Sequence, residues 1–209
     1  VSSRLQGLGL KEVLKNWRSF VRLNEAINPA TIEKIESTLA QAGGESYIVG
    51  GAIRDELMPD TPPSKDIDFL VRGLALSDIA DALAPLGKVS EVGQAFGVVT
   101  AIIDGEEFDF AIPRTAEVKT GEKHTEFDVQ TDPNASVEAD LGRRDFTINA
   151  LAKDSSGNII DMFGGQQDIQ NKVIRAVGNA EDRFAEDPLR MLRAIQFATR
   201  FNFDIEPET

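Results

Sequence analysis

Cysteine is absent from this 209-residue sequence, and histidine, tryptophan and tyrosine occur once each. Without thiols there is no disulfide scaffold and no thiolate metal site. The single histidine, His124, excludes multi-histidine zinc sites and most histidine-based triads. No run of ~18 apolar residues exists, which excludes a membrane-spanning helix. The N-terminus lacks the basic, apolar and small-residue order of a secretory signal. Positive charge is also scarce, with 22 lysines and arginines against 35 aspartates and glutamates and a formal net charge of −13. What remains for chemistry is carboxylates, arginines, lysines and glycines, the set that handles magnesium and phosphates.

At 41% hydrophobic and 27% charged residues, the composition is that of a globular chain with one large or two small domains. The acidity is concentrated in the middle. Residues 1–45 hold 6 basic and 5 acidic side chains, residues 46–135 hold 7 and 17, and residues 136–209 hold 9 and 13. By charge alone this is a poor nucleic-acid binder. A nucleic-acid role therefore rests on metal ions, local basic groups or parts of the protein outside this chain.

Apolar periodicity organises the chain. Leu10, Val13, Leu14, Trp17, Phe20 and Val21 recur at helical spacing, and Ile32, Ile35 and Leu39 do the same after Asn28-Pro29, with Gly43-Gly44 as a stop. Tyr47-Ile48-Val49 reads as a strand running into Gly50-Gly51 and a helix over residues 52–57. Pro59, Pro62 and Pro63 make a turn, residues 66–71 alternate as a strand, and a helix is expected around residues 77–86. Residues 88–92, 98–103 and 107–112 are strand candidates, the last two joined by Asp104-Gly105, a hairpin turn. Residues 113–140 lack periodicity and predict a long loop. Beyond them come apolar residues 146–151, a turn at 155–158, a strand starting at Ile159-Ile160 and an amphipathic helix over 187–201. The expectation is an α/β fold with a mixed sheet, followed by the beginning of an all-helical part.

Asp66 and Asp68 are the sharpest local feature. Side chains two apart on a strand share a face, so the two carboxylates would root about 7 Å apart, close enough to share hard cations. Ile67 and Phe69 would face the core. Alone, the doublet also suits two solvated acids at a strand edge beside Lys65. Gly50-Gly51 lets a phosphate approach the backbone at a helix start, and Arg54 one turn on could add a charge-assisted contact. The blander alternative pairs Arg54 with Asp55 or Glu56. Together these elements put phosphate donors and metal ligands side by side, and Asp109 in Phe108-Asp109-Phe110 offers a third acid. Arg143-Arg144-Asp145 with Asn149 combines guanidiniums, an acid and an amide. Glu186-Asp187-Pro188-Leu189-Arg190 opens the last helix, and Asp187, Arg190 and Arg193 lie along one of its faces, where a carboxylate and a guanidinium can pair with a base edge.

In order and spacing, five blocks resemble the class II tRNA nucleotidyltransferase (CCA-adding enzyme) and bacterial poly(A) polymerase family of the DNA polymerase beta superfamily. They are Gly50-Gly51-Ala52-Ile53-Arg54-Asp55; Asp66-Ile67-Asp68; Arg143-Arg144-Asp145-Phe146-Thr147-Ile148-Asn149-Ala150; Asp161-Met162-Phe163-Gly164-Gly165 with Asp168 and Ile174-Arg175; and Glu186-Asp187-Pro188-Leu189-Arg190. The resemblance runs from about Tyr47 to Phe203. It implies a polymerase beta-like nucleotidyltransferase head at 46–177, the beginning of a helical neck, truncated, at 178–209, and an N-terminal helical extension at 1–45. It implies a cytoplasmic enzyme that adds CCA, from CTP and ATP, to the 3′ end of tRNA without a template. A-adding and poly(A)-adding relatives share the motifs, and an idle nucleotide- or RNA-binding core is the alternative from another class. Carried over by motif, Asp66 and Asp68 bind catalytic Mg2+, with Asp109 as a third acid. Gly50, Gly51 and Arg54 hold the triphosphate. Arg144, Asp145 and Asn149 contact the nucleotide, Asp145 at the ribose hydroxyl. Asp187 and Arg190 hydrogen-bond the base, with Glu186 orienting them and Arg193 nearby. Residues 113–140 correspond to the mobile loop of these enzymes, and His124 within them is given no role.

Overall fold

Asn28 accepts the amide of Ala30 at 3.0 Å, and Pro29 needs no partner for an N–H it does not have. These two residues start helix α1 (Pro29–Gln41), whose Ile35 and Leu39 are fully buried. This computed structural model describes residues 27–58, 61, 64, 66–90, 97–119 and 127–209. The helix expected over residues 10–21, the proline turn, Lys65 and His124 lie outside them.

Strand β1 (Glu45–Val49) runs into Gly50 and helix α2 (Gly51–Glu56). Strand β2 (Ile67–Arg72) follows, then α3 (Leu76–Leu83), β3 (Gly87–Ser90), β4 (Val98–Ile103) and β5 (Glu106–Ala111). The α3 helix stops short of residue 86 because Pro85 has no N–H to continue it. At the expected hairpin turn Asp104 and Gly105 both take positive φ, 53° and 89°, the pattern that matches strand twist.

Residues 113–140 are not one loop. They hold β6 (Arg114–Lys119) and β7 (Phe127–Thr131), paired as an antiparallel ribbon, then α4 (Val137–Gly142). The sequences RTAEVK and FDVQT alternate over only two apolar residues each, Ala116 and Val118 and then Phe127 and Val129, which is too short a pattern to predict strands. Ser136 caps α4 through the amide of Ala139, and Val137 and Leu141 bury one side of it.

A 3₁₀ turn (Thr147–Asn149) leads into β8 (Ala152–Asp154), β9 (Ile159–Ile160), α5 (Gly165–Asn171) and β10 (Val173–Ile174). Two further helices, α6 (Ala180–Glu186) and α7 (Leu189–Phe201), precede β11 (Asp204–Ile205), which pairs in parallel with β10. The last long helix starts at Leu189 rather than Asp187. Asp187 sits before a proline, which disfavours helical backbone, and is extended at φ −142°.

The main sheet is mixed, in the order β3-β4-β5-β2-β1-β8-β9. Only β2 and β5 pair in parallel among its described neighbours. One face holds the core. Phe69 and Phe110 stack at 5.1 Å with Phe108 tilted beside them, under α1 and α3. The other face is also covered, because Leu70 joins Val49, Leu141 and Ala152 beneath α4. The simple alternation expected for β2 therefore ends at Phe69, and Phe69, Leu70 and Val71 are all buried. Among the described residues no helix is long and apolar enough to cross a membrane.

Strand direction places the motifs together. Since β1 is antiparallel to β2, Val49 at its end pairs with Asp68 at the start of β2. Since β8 is antiparallel to β1, Ala152 also lies beside Val49, and the Gly50 amide donates to the Leu151 carbonyl at 2.9 Å. Since β5 is parallel to β2, Asp109 is level with Asp68. The glycine turn, the carboxylates and the Arg143–Ala150 segment thus meet at one end of the sheet.

Candidate active site

Gly50 has φ 74°, and a Cβ there would stand 2.7 Å from Arg144 Nη1. The positive φ calls for glycine, and any side chain there would displace the Arg144 guanidinium. Arg54, one turn into α2, is 5% exposed. Its Nε donates to Asp55 Oδ1 at 2.8 Å and its Nη1 to Asn149 Oδ1 at 2.5 Å. The pairing with Asp55 expected of a purely structural arginine is therefore present, and the same guanidinium still opens onto a cavity of about 410 Å³.

That cavity is bounded by the sheet end and by α7. Gly50, Gly51, Arg54, Asp68, Arg144, Asp145, Asn149, Asp187, Arg190 and Arg193 all line it, together with Arg143 and Phe197. Five arginines and three aspartates line it, so much of the scarce positive charge of this acidic chain is gathered there, with Asp55, Asp140 and Glu186 pairing to the arginines from behind. Asp66, Asp109 and Glu186 are not part of its lining.

Asp66 sits one residue ahead of β2 and Asp68 within it, both exposed. Desolvation raises the Asp68 pKa above its ordinary value. Arg144 opposes this, and the carboxylates of Asp109 and Asp66 add to it. Asp109 accepts the hydroxyl of Thr100 at 2.6 Å. Among the described residues no group of three or more histidines, aspartates and glutamates is drawn together closely enough to hold a metal ion, so the three acids do not form one cage. Mutually repelling carboxylates at a cavity mouth are nevertheless a donor set for a hard cation. Magnesium is commonly held by one or two carboxylates, with water and substrate phosphate supplying the rest. Asp66 and Asp68 fit that description.

Asp145 is buried. Its Oδ1 accepts from the Phe146 amide at 2.8 Å and from Asn149 Nδ2 at 3.0 Å, while Oδ2 accepts from Arg193 Nε at 2.7 Å. Arg144 donates to the Asn149 carbonyl at 3.3 Å and to Asp140 at 3.1 Å, and its Nε–H is buried with no partner among the described residues. Asp187 Oδ1 accepts from the Leu189 amide at the start of α7, and Asp187 lines the cavity. Arg190 is 8% exposed and donates to the carbonyls of Arg183 and Arg143 and to Glu186. Glu186 also pairs with Arg183 at 2.6 Å. It thus holds two arginines from outside the cavity.

Three further side chains support the cavity walls without belonging to any of the five motifs. Asp140 is 2% exposed and anchors Arg143, Arg144 and the Arg114 amide. Its spacing of three and four residues from the arginines was the available signal. Phe197 and Phe201 lie against Arg54, and only the tertiary structure shows it.

The sequence profile of the Poly A polymerase head domain family matches residues 46–175. The chain belongs to this family. Its matched portion contains the whole sheet end described above, and α7 adds the remaining wall. The chain is 43% identical over 166 residues to the multifunctional CCA protein of Nitrosococcus oceani, covering 79% of this chain and 37% of that protein. It is 37% identical to the Bacillus stearothermophilus CCA-adding enzyme solved in complex with CTP, with TM-score 0.71 over 86% of this chain and 41% of that one. A tRNA nucleotidyltransferase solved with a primer tRNA and an incoming ATP analog is 34% identical, with TM-score 0.67 over 84% and 47% of the two chains. The chain spans about two fifths of the length of the curated relatives it matches. The mixed-sheet head expected from the motifs agrees with these folds.

Proposed function

We propose that this chain carries the catalytic core of a template-independent nucleotidyltransferase that adds CCA, from CTP and ATP, to the 3′ end of tRNA in the cytoplasm. The observation that supports it is the single cavity lined by the glycine turn, a carboxylate of the Asp66–Asp68 pair, the Arg144-Asp145 segment and the start of α7. We divide the chain into an N-terminal extension at 1–45, a head at 46–177 and the start of a helical neck at 178–209.

In this reading Gly50, Gly51 and Arg54 take the triphosphate. Arg144 and Asp145 contact the sugar, and Asn149 fixes Asp145. Asp187 Oδ2 accepts from the base edge, and Arg190, locked by Glu186 and two carbonyls, presents its guanidinium beside it. Asp66 and Asp68 would hold Mg2+, with Asp109 as an outer acid. Bound magnesium supplies activation of the RNA hydroxyl and neutralises the departing pyrophosphate. Fixed protein groups facing the base explain how selection proceeds without a template.

The test is incorporation of labelled CTP and ATP, separately and together, into tRNA ending before its CCA, with magnesium present. Two cytidines and then one adenosine are expected, and Asp66→Ala or Asp68→Ala should reduce incorporation at least ~100-fold. Adenosine alone would move the assignment to an A-adding or poly(A) enzyme. Nucleotide binding with no incorporation would make the chain a binding core.

A further inference from the structure

Arg54 is held by more than its in-plane partners. Nε donates to Asp55 Oδ1 at 2.8 Å, Nη2 lies 2.7 Å from the same oxygen, and Nη1 donates to Asn149 at 2.5 Å. Among the described residues these are its polar contacts, and each η nitrogen retains one N–H. A phosphate in the cavity that Arg54 lines can accept from these remaining N–H groups. In-plane bonds fix where the fork lies. They limit the tilt of the guanidinium plane, and whatever touches its face limits it further.

That face meets α7. Arg54 Cζ lies 4.7 Å from the Phe201 ring centroid and 5.5 Å from that of Phe197. The two rings are one helical turn apart and stack at 5.8 Å with an interplanar angle of 8°, so they act as one surface. Phe197 is itself fixed edge-on by Phe146 at 5.9 Å. Arg193 and Arg200 lie over Phe197 and Phe201 at 5.0 and 5.1 Å, and Phe203 borders Phe201 at 5.8 Å. Both phenylalanines lie beyond residue 175, outside the stretch matched by the family profile.

We propose that Phe201, backed by Phe197, is a positioning residue that sets the plane of Arg54 and so aims its free N–H pair at the nucleotide triphosphate. The role rests on the reading of Arg54 as a triphosphate ligand. It makes α7 part of phosphate recognition as well as base recognition. A phenylalanine serving only as core would need apolar bulk; one serving this purpose needs a π face.

The experiment measures dissociation constants of CTP, ATP, CMP and AMP for the protein and for Phe201→Leu, Phe201→Met, Phe201→Tyr and Arg54→Ala, with thermal unfolding of each. Phe201 is only partly buried, so leucine or methionine fits its space. Loss of a cation–π face is expected to weaken both triphosphates ~3–10-fold in the leucine and methionine variants. The monophosphates should stay within about twofold, and Phe201→Tyr should match the native protein. Equal weakening of mono- and triphosphates, or tyrosine behaving as leucine does, overturns the positioning role. So does unchanged triphosphate binding in the leucine and methionine variants beside a large loss in Arg54→Ala, which leaves the triphosphate reading standing. Unchanged binding in Arg54→Ala overturns that reading and this role together.

Discussion

Asp140 shows how one residue behind the cavity governs two in front of it. Burial pushes its carboxyl up, but the charges of Arg144 and Arg143, with hydrogen bonds from the Arg114 amide and Arg144, outweigh burial and hold its pKa below the ordinary 3.8. A carboxyl that is more acidic folded than unfolded stabilises the protein above its unfolded pKa and loses that contribution as pH falls through the folded value. Asp140→Asn should therefore lower stability by about 3 kcal/mol at neutral pH, the cost of leaving its arginines without their buried partner. The difference between native and variant should close as the pH drops below about 4. Urea unfolding across that range checks it. The same spacing that tied Asp140 to Arg143 and Arg144 was readable along the chain. Its burial was not, because the covering segment, 113–140, showed no period.

Elements position the site through close approaches that the sequence marks only as glycine. Gly165 opens α5, its amide donating to Asp161 at 2.8 Å. A Cβ on it would stand 2.2 Å from the Thr147 carbonyl oxygen and 3.1 Å from Leu151. Thr147 begins the 3₁₀ turn that ends in Asn149, the residue bonded to both Arg54 and Asp145. Gly165→Ala should cost about 2 kcal/mol of stability by overpacking. It should also weaken nucleotide binding, since relief of the clash shifts the turn carrying Asn149. Urea unfolding and CTP titration of one sample separate the two effects; a stability loss with unaltered affinity would show that the turn does not move. The helices and strands with one buried apolar face, α1 and β4 among them, were legible because burial imposes a period; α7 differs, since Leu189, Leu192 and Ile195 of its apolar spacing are exposed and Phe197 is buried with Arg190 and Ala194. The ribbon of β6 and β7 and the short helix α6 carry too few apolar residues to impose one.

Across the whole molecule, the cavity exists because α7 closes over the end of the sheet. Arg190 is the bolt, reaching from α7 to the Arg143 carbonyl 47 residues away and to the last turn of α6. Arg190→Met should lower stability by about 2–3 kcal/mol, because two carbonyls and Glu186 lose a buried donor. Arg190→Lys, with its charge but without the fork, should fall between. Thermal unfolding orders the three proteins.

Residue types, their order and the strand–glycine–helix punctuation pointed to the proposed chemistry, because phosphate, sugar and metal recognition would demand particular donors at particular local spacings. Those features pointed to the mixed sheet, which the fold has, and to candidate site residues, most of which line one cavity. Their convergence rests on contacts between residues far apart in the chain. Antiparallel pairing of β1 with β2 and β8, and parallel pairing of β2 with β5, bring Gly50, Asp68, Asp109 and Asn149 to one end of the sheet. Which carboxylate is left open, which arginine is already bonded and which ring supports Arg54 depend on that packing. Local periodicity has no term for such long-range contacts, and only folding decides them.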